Sequence, residues 1–394
     1  MSQDPIVIVG MARTPMGGML GDLSTIEASS LGATAIKGAL ASAGMKPTDS
    51  IDETIMGCVL PAGQGQAPAR QASLKAGIDK NTGAVTLNKM CGSGMKAMMQ
   101  AYDSLYAGTN SVVVAGGMES MSLAPHLLPS GRTGTRYGST QLFDHMALDG
   151  LTDAYGGEPM GVYAELCAEH YQFSREAQDA YSIESTKRAQ RAIADGSFEG
   201  EIVSVEVKTR AGISEVAIDE QPGKAKLDKI PSLRPAFKKD GTVTAANASS
   251  ISDGAAALVL MKASEATKRG LTPLAQLVAH ASHAQAPEWF TTAPVDAMKK
   301  VLAKAGWSID DVDLFEVNEA FAVVPMAAIQ ELGLDHAKVN VNGGACALGH
   351  PIGASGARIC VTLINALKKR GLKKGVASLC IGGGEATAVA IELC

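Results

Sequence analysis

Two widely separated stretches of the chain repeat one order of parts. GALASAGMKPTDSIDETIMG, from Gly38, parallels KVLAKAGWSIDDVDLFEVN, from Lys300: each reads as a helix ending at a glycine, Gly44 or Gly306, then an acidic turn, then a strand. The parallel continues. A strand pattern at Val85–Asn88 or Val339–Asn342 leads to a small-residue turn, CGSG at Cys91 or GASG at Gly353. A helix pattern follows, then a strand running into glycines, VVVAGGMES or ASLCIGGGEAT. Offset matches in one order imply two copies of a single α/β unit, 1–120 and 271–394, the first completed by about 251–270. Apolar runs at Ile6–Val9, Ile55–Val59, Val85–Leu87 and Val112–Ala115 read as strands, and Leu31–Ala43 and Gly94–Tyr106 as helices.

Residues 121–250 break the pattern. They start loop-rich (SLAPHLLPSGRTGTRYG), read as helical over Met160–Gly196, and turn irregular around Lys224, Lys226, Arg234, Lys238 and Lys239. This reads as an inserted loop domain covering a site. The lysines are either a solvated face or a contact for an anionic ligand.

Bulk properties exclude several classes. The net charge is −5, which argues against nucleic-acid binding. No apolar run approaches the roughly 18 residues of a membrane span, and MSQDPIVIVG has neither a signal-peptide nor a transit-peptide character. Seven irregularly spaced cysteines without a C-x-x-C pair argue against disulfides or structural zinc and for a reducing cytoplasm. The histidines have no metal-ligand spacing, and P-loop, G-x-G-x-x-G and G-x-S-x-G signatures are missing, so no metal or nucleotide cofactor is expected.

Three positions carry chemistry. Cys91, in NKMCGSGMKA, follows a strand and opens a helix, where unpaired backbone N–H groups and the helix dipole favour thiolate and lower the thiol pKa. This is the setting of an activated nucleophile, although a buried structural cysteine fits the local pattern equally well. His350 sits in NGGACALGHPIGASGAR, a glycine-rich loop that presents a single imidazole for proton transfer. Cys380 ends a strand before three glycines whose N–H groups can face an oxyanion. The repeat places the ends of equivalent strands together, and so Cys91, His350 and Cys380 in one cleft. Asn318 can hold a water or a backbone group; Glu319 can either orient His350 or cap the next helix.

These motifs, with ARTPMGG at Ala12, GGMESMS at Gly116, NASSISDGAAA at Asn247, NEAFA at Asn318 and CIGGG at Cys380, resemble the thiolase family along nearly the whole chain. The resemblance implies a five-layer αβαβα fold of two βαβαβαββ halves with an inserted loop domain. It implies acyl transfer between CoA thioesters through an acyl-cysteine, with ping-pong kinetics. Cys91 then resembles the nucleophile, His350 its base, and Cys380 the acid/base at the α-carbon. Asn318 resembles the holder of a water at the enolate oxygen, and Gly382 N–H a donor of the second oxyanion hole. Leu151, Met160, Ser249, Ala320 and Phe321 resemble the pantetheine and acyl channel; core packing is the alternative for the apolar ones.

Several positions depart from the family pattern. Pro159 replaces a histidine before Met160, and Pro222 replaces an arginine near the CoA phosphate, with Lys224 and Lys226 close by. Phe290 replaces a methionine and would reshape the acyl pocket. Glu385, after the three glycines, has no role that the sequence suggests. The APVDA and FEVNEAFAVV surroundings resemble the acetoacetyl-CoA type, implying two acetyl-CoA in exchange for acetoacetyl-CoA and CoA; longer or branched 3-ketoacyl-CoA is the alternative. Cys380 argues against decarboxylating condensing enzymes, and the intact set of Cys91, Asn318, His350 and Cys380 against a non-catalytic scaffold. The resemblance also implies a homo-oligomer, a dimer of dimers, with His126–His145 falling where tetramer contacts occur in the family.

Overall fold

A computed structural model describes residues 4–210 and 212–394. The first copy runs β1 (Ile6–Arg13), α1 (Ala28–Ser42), β2 (Glu53–Gly57), α2 (Pro68–Lys75), β3 (Gly83–Leu87), α3 (Ser93–Ala107), β4 (Val112–Ser120). After the insertion, which carries α4 (Met160–Tyr171) and α5 (Arg175–Ala194), β5 (Ser252–Lys262) completes it. The second copy runs β6 (Ala275–Ala284), α6 (Ala293–Ala305), β7 (Leu314–Val317), α7 (Val323–Leu332), α8 (Ser355–Arg370), β8 (Lys374–Ile381), β9 (Glu385–Leu393). The expected order of parts is present in both, except for the strand expected at Val339–Asn342 in the second.

Each copy forms a mixed sheet, β3-β2-β4-β5-β1 and β7-β8-β9-β6. The pairs β2–β3, β2–β4 and β7–β8 are parallel and the others antiparallel. The sheets meet edge to edge where Val7 faces Gln276 and Ile8 faces Ala275. Both faces of each sheet are covered, so strands such as β5 (SDGAAALVLMK) are apolar almost throughout rather than alternating. Ala256, Leu258 and Leu260 of β5 pack inward with α3 and α8, while Ala255, Ala257, Val259 and Met261 pack outward with α1 and α2. On the far side α6 and α7 cover the second sheet through Ala388, Ala390 and Val376. The layers are therefore α1/α2, sheet, α3/α8, sheet, α6/α7. In the middle layer α8 is buried continuously from Ser355 to Leu367, as a helix between two sheets must be.

The middle helices touch through the glycines of the two small-residue turns. A Cβ on Gly94 would lie 2.8 Å from Ala357 N, and one on Gly356 only 2.4 Å from Met95 N. Only hydrogen side chains let the two N-terminal turns meet, which brings the residues just before each helix, Cys91 and the His350 loop, to one place.

Two expectations are corrected. The strand at Val339–Asn342 is reduced to one bridge between Phe315 and Val339. Asn340 leaves the strand conformation at φ +49, and its side-chain amide accepts from Val317 N at 2.9 Å and donates to Val317 O at 2.8 Å, replacing the ladder with an amide. The helix expected over Met160–Gly196 is two helices, broken at Gln172 with φ +56.

Candidate active site

Cys91 lies in the tight turn between β3 and α3. Met90 takes φ +48, Gly92 precedes the helix, and Ser93 Oγ accepts from Lys89 N at 2.8 Å while donating to Met90 O at 2.7 Å. The Cys91 sulfur, half-buried, receives the N–H groups of Gly382 and of Cys91 itself. These favour thiolate, as the helix-start argument requires, but burial outweighs them and pushes the thiol up to about 11; the Glu119 carboxylate adds to the rise. The expected lowering is therefore reversed: the resting group is a thiol, and attack needs a base.

His350 supplies one. Its Nδ1 lies 2.6 Å from Ser355 Oγ, and that hydroxyl donates its own proton to Pro351 O at 3.0 Å. Ser355 must therefore accept from His350, which fixes the proton on Nδ1 and leaves Nε2 with a free lone pair. Burial, and after it the Arg358 charge, pushes the imidazole down to about 3, so it is neutral. Nε2 is buried without a hydrogen-bond partner among the described residues.

The loop carrying His350 is held from the first copy. Glu119, at the end of β4, accepts from Gly353 N at 2.8 Å, Val59 N at 2.9 Å and Leu60 N at 3.1 Å. Its burial raises the carboxyl to about 7 against those donors. Cys380, at the end of β8, is fully buried; burial and the neighbouring Cys91 push its thiol far above the ordinary range.

Asn318 ends β7. Its N–H donates to Ser378 O at 3.0 Å and its Oδ1 accepts from Arg358 at 3.4 Å, leaving Nδ2 with no protein partner among the described residues. Arg358 faces Glu316 at 3.7 Å, and burial raises that carboxyl to about 8 despite the guanidinium. Glu319 does neither of the two things expected of it. It accepts from Tyr181, Ser185, Asn340 and Cys346 N at 2.8–3.1 Å, tying the NEAFA turn to α5 and to the loop before His350.

Cys91, His350 and Gly382 line a cavity of about 460 Å³. Leu151, Met160, Ser249, Phe290, Ala320 and Phe321 all line it. The sequence reading missed Phe237, which crosses Phe321 at 6.0 Å between ring centroids. Cys380 and Asn318 are buried outside this lining. Lys224 and Lys226 do not enter the cavity; with Lys229 they line an adjoining hollow of about 360 Å³ that shares Ala245 and Ser250 with it. Lys224 is already paired with Glu220.

The arrangement is an apolar cavity lined by a thiol, a neutral imidazole with a free lone pair, and backbone N–H donors to the sulfur: a site for acyl transfer to sulfur. Residues 6–264 match the family model "Thiolase, N-terminal domain" and 271–393 match "Thiolase, C-terminal domain"; the chain belongs to the thiolase family. Among its relatives is an acetyl-CoA acetyltransferase of Chromobacterium violaceum, 51% identical over 390 residues that cover 98% of this chain and 99% of the relative. The crystal structure of the Bacillus anthracis acetyl-CoA acetyltransferase superposes with a TM-score of 0.96 at 40% identity, covering 100% of this chain and 99% of that one. A thiolase from Ascaris suum in complex with coenzyme A superposes with a TM-score of 0.93 at 42% identity, covering 99% and 100%.

Proposed function

We propose that the chain is an acetyl-CoA C-acetyltransferase, exchanging two acetyl-CoA with acetoacetyl-CoA and CoA. The observation that carries the reading is the Cys91 sulfur, which receives the Gly382 N–H, neighbours the buried Cys380 thiol, and lines one apolar cavity together with His350. Thiolysis runs as follows. His350 Nε2 takes the Cys91 proton and the sulfur attacks the 3-keto carbon of acetoacetyl-CoA. The C2–C3 bond breaks, and the departing acetyl-CoA enolate takes a proton from the Cys380 thiol. A second CoA thiol gives its proton back to Cys380 and attacks the acetyl-Cys91, whose sulfur recovers its proton from His350. Condensation is the same sequence reversed. The N–H groups of Cys91 and Gly382 stabilise the tetrahedral oxygen, and His350 with Asn318 the enolate oxygen; one such donor is worth on the order of 10²–10³ in rate. No step calls for a metal or a cofactor beyond the CoA thioesters. Phe290, buried against Phe321 at the channel wall, supports a short acyl group. Lys226 and Lys229, which line the hollow beside the channel, are cations available to the CoA phosphates, with Lys224 shared with Glu220.

Turnover measured against a ladder of 3-ketoacyl-CoA lengths tests the assignment, and a higher kcat/KM for the longer members would overturn it. Within the mechanism, Cys91→Ser abolishes the acyl-enzyme seen by mass spectrometry, whereas Cys380→Ser retains it and loses condensation. Unimpaired condensation in Cys380→Ser removes Cys380 from its role.

The oligomer is a dimer of dimers on the same reading. An uncovered edge at β3, where Val85 is 42% exposed, and the exposed Leu128, Tyr137 and Leu142 support it, and light scattering measures it. Seven unbridged cysteines support a cytoplasmic setting. Among the described residues no helix is long and apolar enough to cross a membrane.

A further inference from the structure

Glu385, for which the sequence suggested no role, makes an ion pair with Lys89. Lys89 lies two residues before Cys91, and Glu385 three residues after Gly382. Each end is rigidly joined to its own loop. The Lys89 backbone is bonded into the first turn of α3, its N–H to Ser93 Oγ and its carbonyl to Gly92 N at 3.0 Å. Glu385 pairs across the β8–β9 turn with Ile381 and across to Ala284 of β6. Just before it Gly384, at φ +82, accepts from Gln285 N at 2.8 Å, and a Cβ there would sit 2.4 Å from Gln285 O. An apolar contact also crosses between the loops: Ile381 Cδ1 occupies space 2.3 Å from where a Gly92 Cβ would be. The two N–H groups that face the Cys91 sulfur, one on each loop, are therefore framed by an apolar contact and an ionic one.

We propose that the Lys89–Glu385 pair is a strut that sets the spacing of the Cys91 and Gly382 N–H donors, making both side chains positioning residues for acylation of Cys91. The consequence for acylation rests on the acyl-transfer reading; the geometry does not. An ion pair this exposed, with side chains 22% and 36% accessible, adds little to folding stability. The spacing of oxyanion donors, by contrast, governs rate steeply. Cys380 and Glu119 also act on Cys91, and His350 lines the same cavity; no substitution below touches them.

The test separates a strut from a simple field. If the pair acted on Cys91 only through its charges, removing the Lys89 cation would make the thiol less acidic and removing the Glu385 anion would make it more acidic. A strut makes both removals act alike. The readout is the rate at which iodoacetamide alkylates Cys91 in the substrate-free full chain at fixed pH near 8, followed on the Cys91 peptide by mass spectrometry. Lys89→Met and Glu385→Ala are each expected to slow alkylation, and to slow acetyl-enzyme formation from acetyl-CoA by about threefold to tenfold. The charge-swapped double variant Lys89→Glu/Glu385→Lys is expected to recover most of both. Faster alkylation in Glu385→Ala, unchanged rates in both single variants, or a swap as slow as the two losses combined would each overturn the strut. A wild-type chain that alkylates at Cys91 but forms no acetyl-enzyme would instead overturn the acyl-transfer reading, while the alkylation series still decides the strut.

Discussion

His350 is neutral because of where it sits, and this has a consequence for stability. Its imidazole titrates near 6.5 when unfolded and near 3 when buried, with burial the main cause and the Arg358 charge the second. Between those values the unfolded chain binds a proton that the native chain does not. Stability is therefore lost as the pH falls below 6.5, at up to about 1.4 kcal/mol per pH unit, and the loss is complete near pH 3. His350→Asn is expected to flatten the fall in denaturation free energy between pH 6.5 and 5. An unchanged slope in that window would mean that the native imidazole titrates like the unfolded one. The same residue shows what the sequence made legible in the site. Cys91, His350 and Cys380 were readable because reactive groups stood out among glycines. Ser355, which fixes the His350 tautomer, looks like any helix-opening serine. Glu119 works by bonding Val59, Leu60 and Gly353, partners far away in sequence that only the folded chain brings to it. The sign of the Cys91 shift was misread for a related reason. Helix-end donors are visible in a sequence pattern, while the desolvation that outweighs them is not.

At the scale of elements, the repeat made the order of strands and helices legible, because both copies bury the same apolar runs between the same layers. It failed where a side chain replaced a backbone element. Asn340 supplies the two hydrogen bonds that a strand residue beside Val317 would have made, so a pattern reading as strand in the first copy is a single bridge in the second. The α3–α8 crossing is the element-level feature with the clearest consequence. At Gly356 a methyl group would need to occupy space 2.4 Å from Met95 N and 2.8 Å from Met95 Cβ, and backbone cannot yield as a flexible side chain can. Gly356→Ala is expected to lower stability by about 1–3 kcal/mol in denaturant titration, the usual cost of overpacking. It is also expected to reduce turnover, since the crossing holds Cys91 and His350 to one another. Wild-type stability in this variant would mean that the two helices can part without cost.

For the molecule as a whole, the question is what fastens the inserted segment to the duplicated frame. Arg13, at the end of β1, is fully buried; besides Thr14 O at 3.2 Å and the Phe198 ring, its guanidinium reaches carboxylates from the insertion. It donates to Glu201 at 2.5 Å and, through both terminal nitrogens, to Asp219 at 2.7 and 2.9 Å. Burial opposes the guanidinium charge, and the Asp219 and Glu201 carboxylates more than restore it. Asp219 also accepts from Met16 N at 2.8 Å, while Glu201 accepts from Thr362 and Asn365 of α8 at 3.1 and 2.8 Å. The first copy, the insertion and the second copy thus share one buried charge cluster. Breaking a buried pair from one side is far costlier than its net contribution, because the remaining charge keeps its desolvation without its partner. Asp219→Ala leaves Arg13 with one carboxylate and is expected to cost about 3–5 kcal/mol. Replacing Arg13 by methionine while also removing both carboxylates is expected to cost less than that single change, because no uncompensated charge stays behind. Denaturant titration of the two variants side by side orders them. If the single variant proves the more stable, the cluster is not what joins the insertion to the frame, and the fastening must lie in the apolar contacts of Phe198 and Ile202 with Ala347 and Leu348.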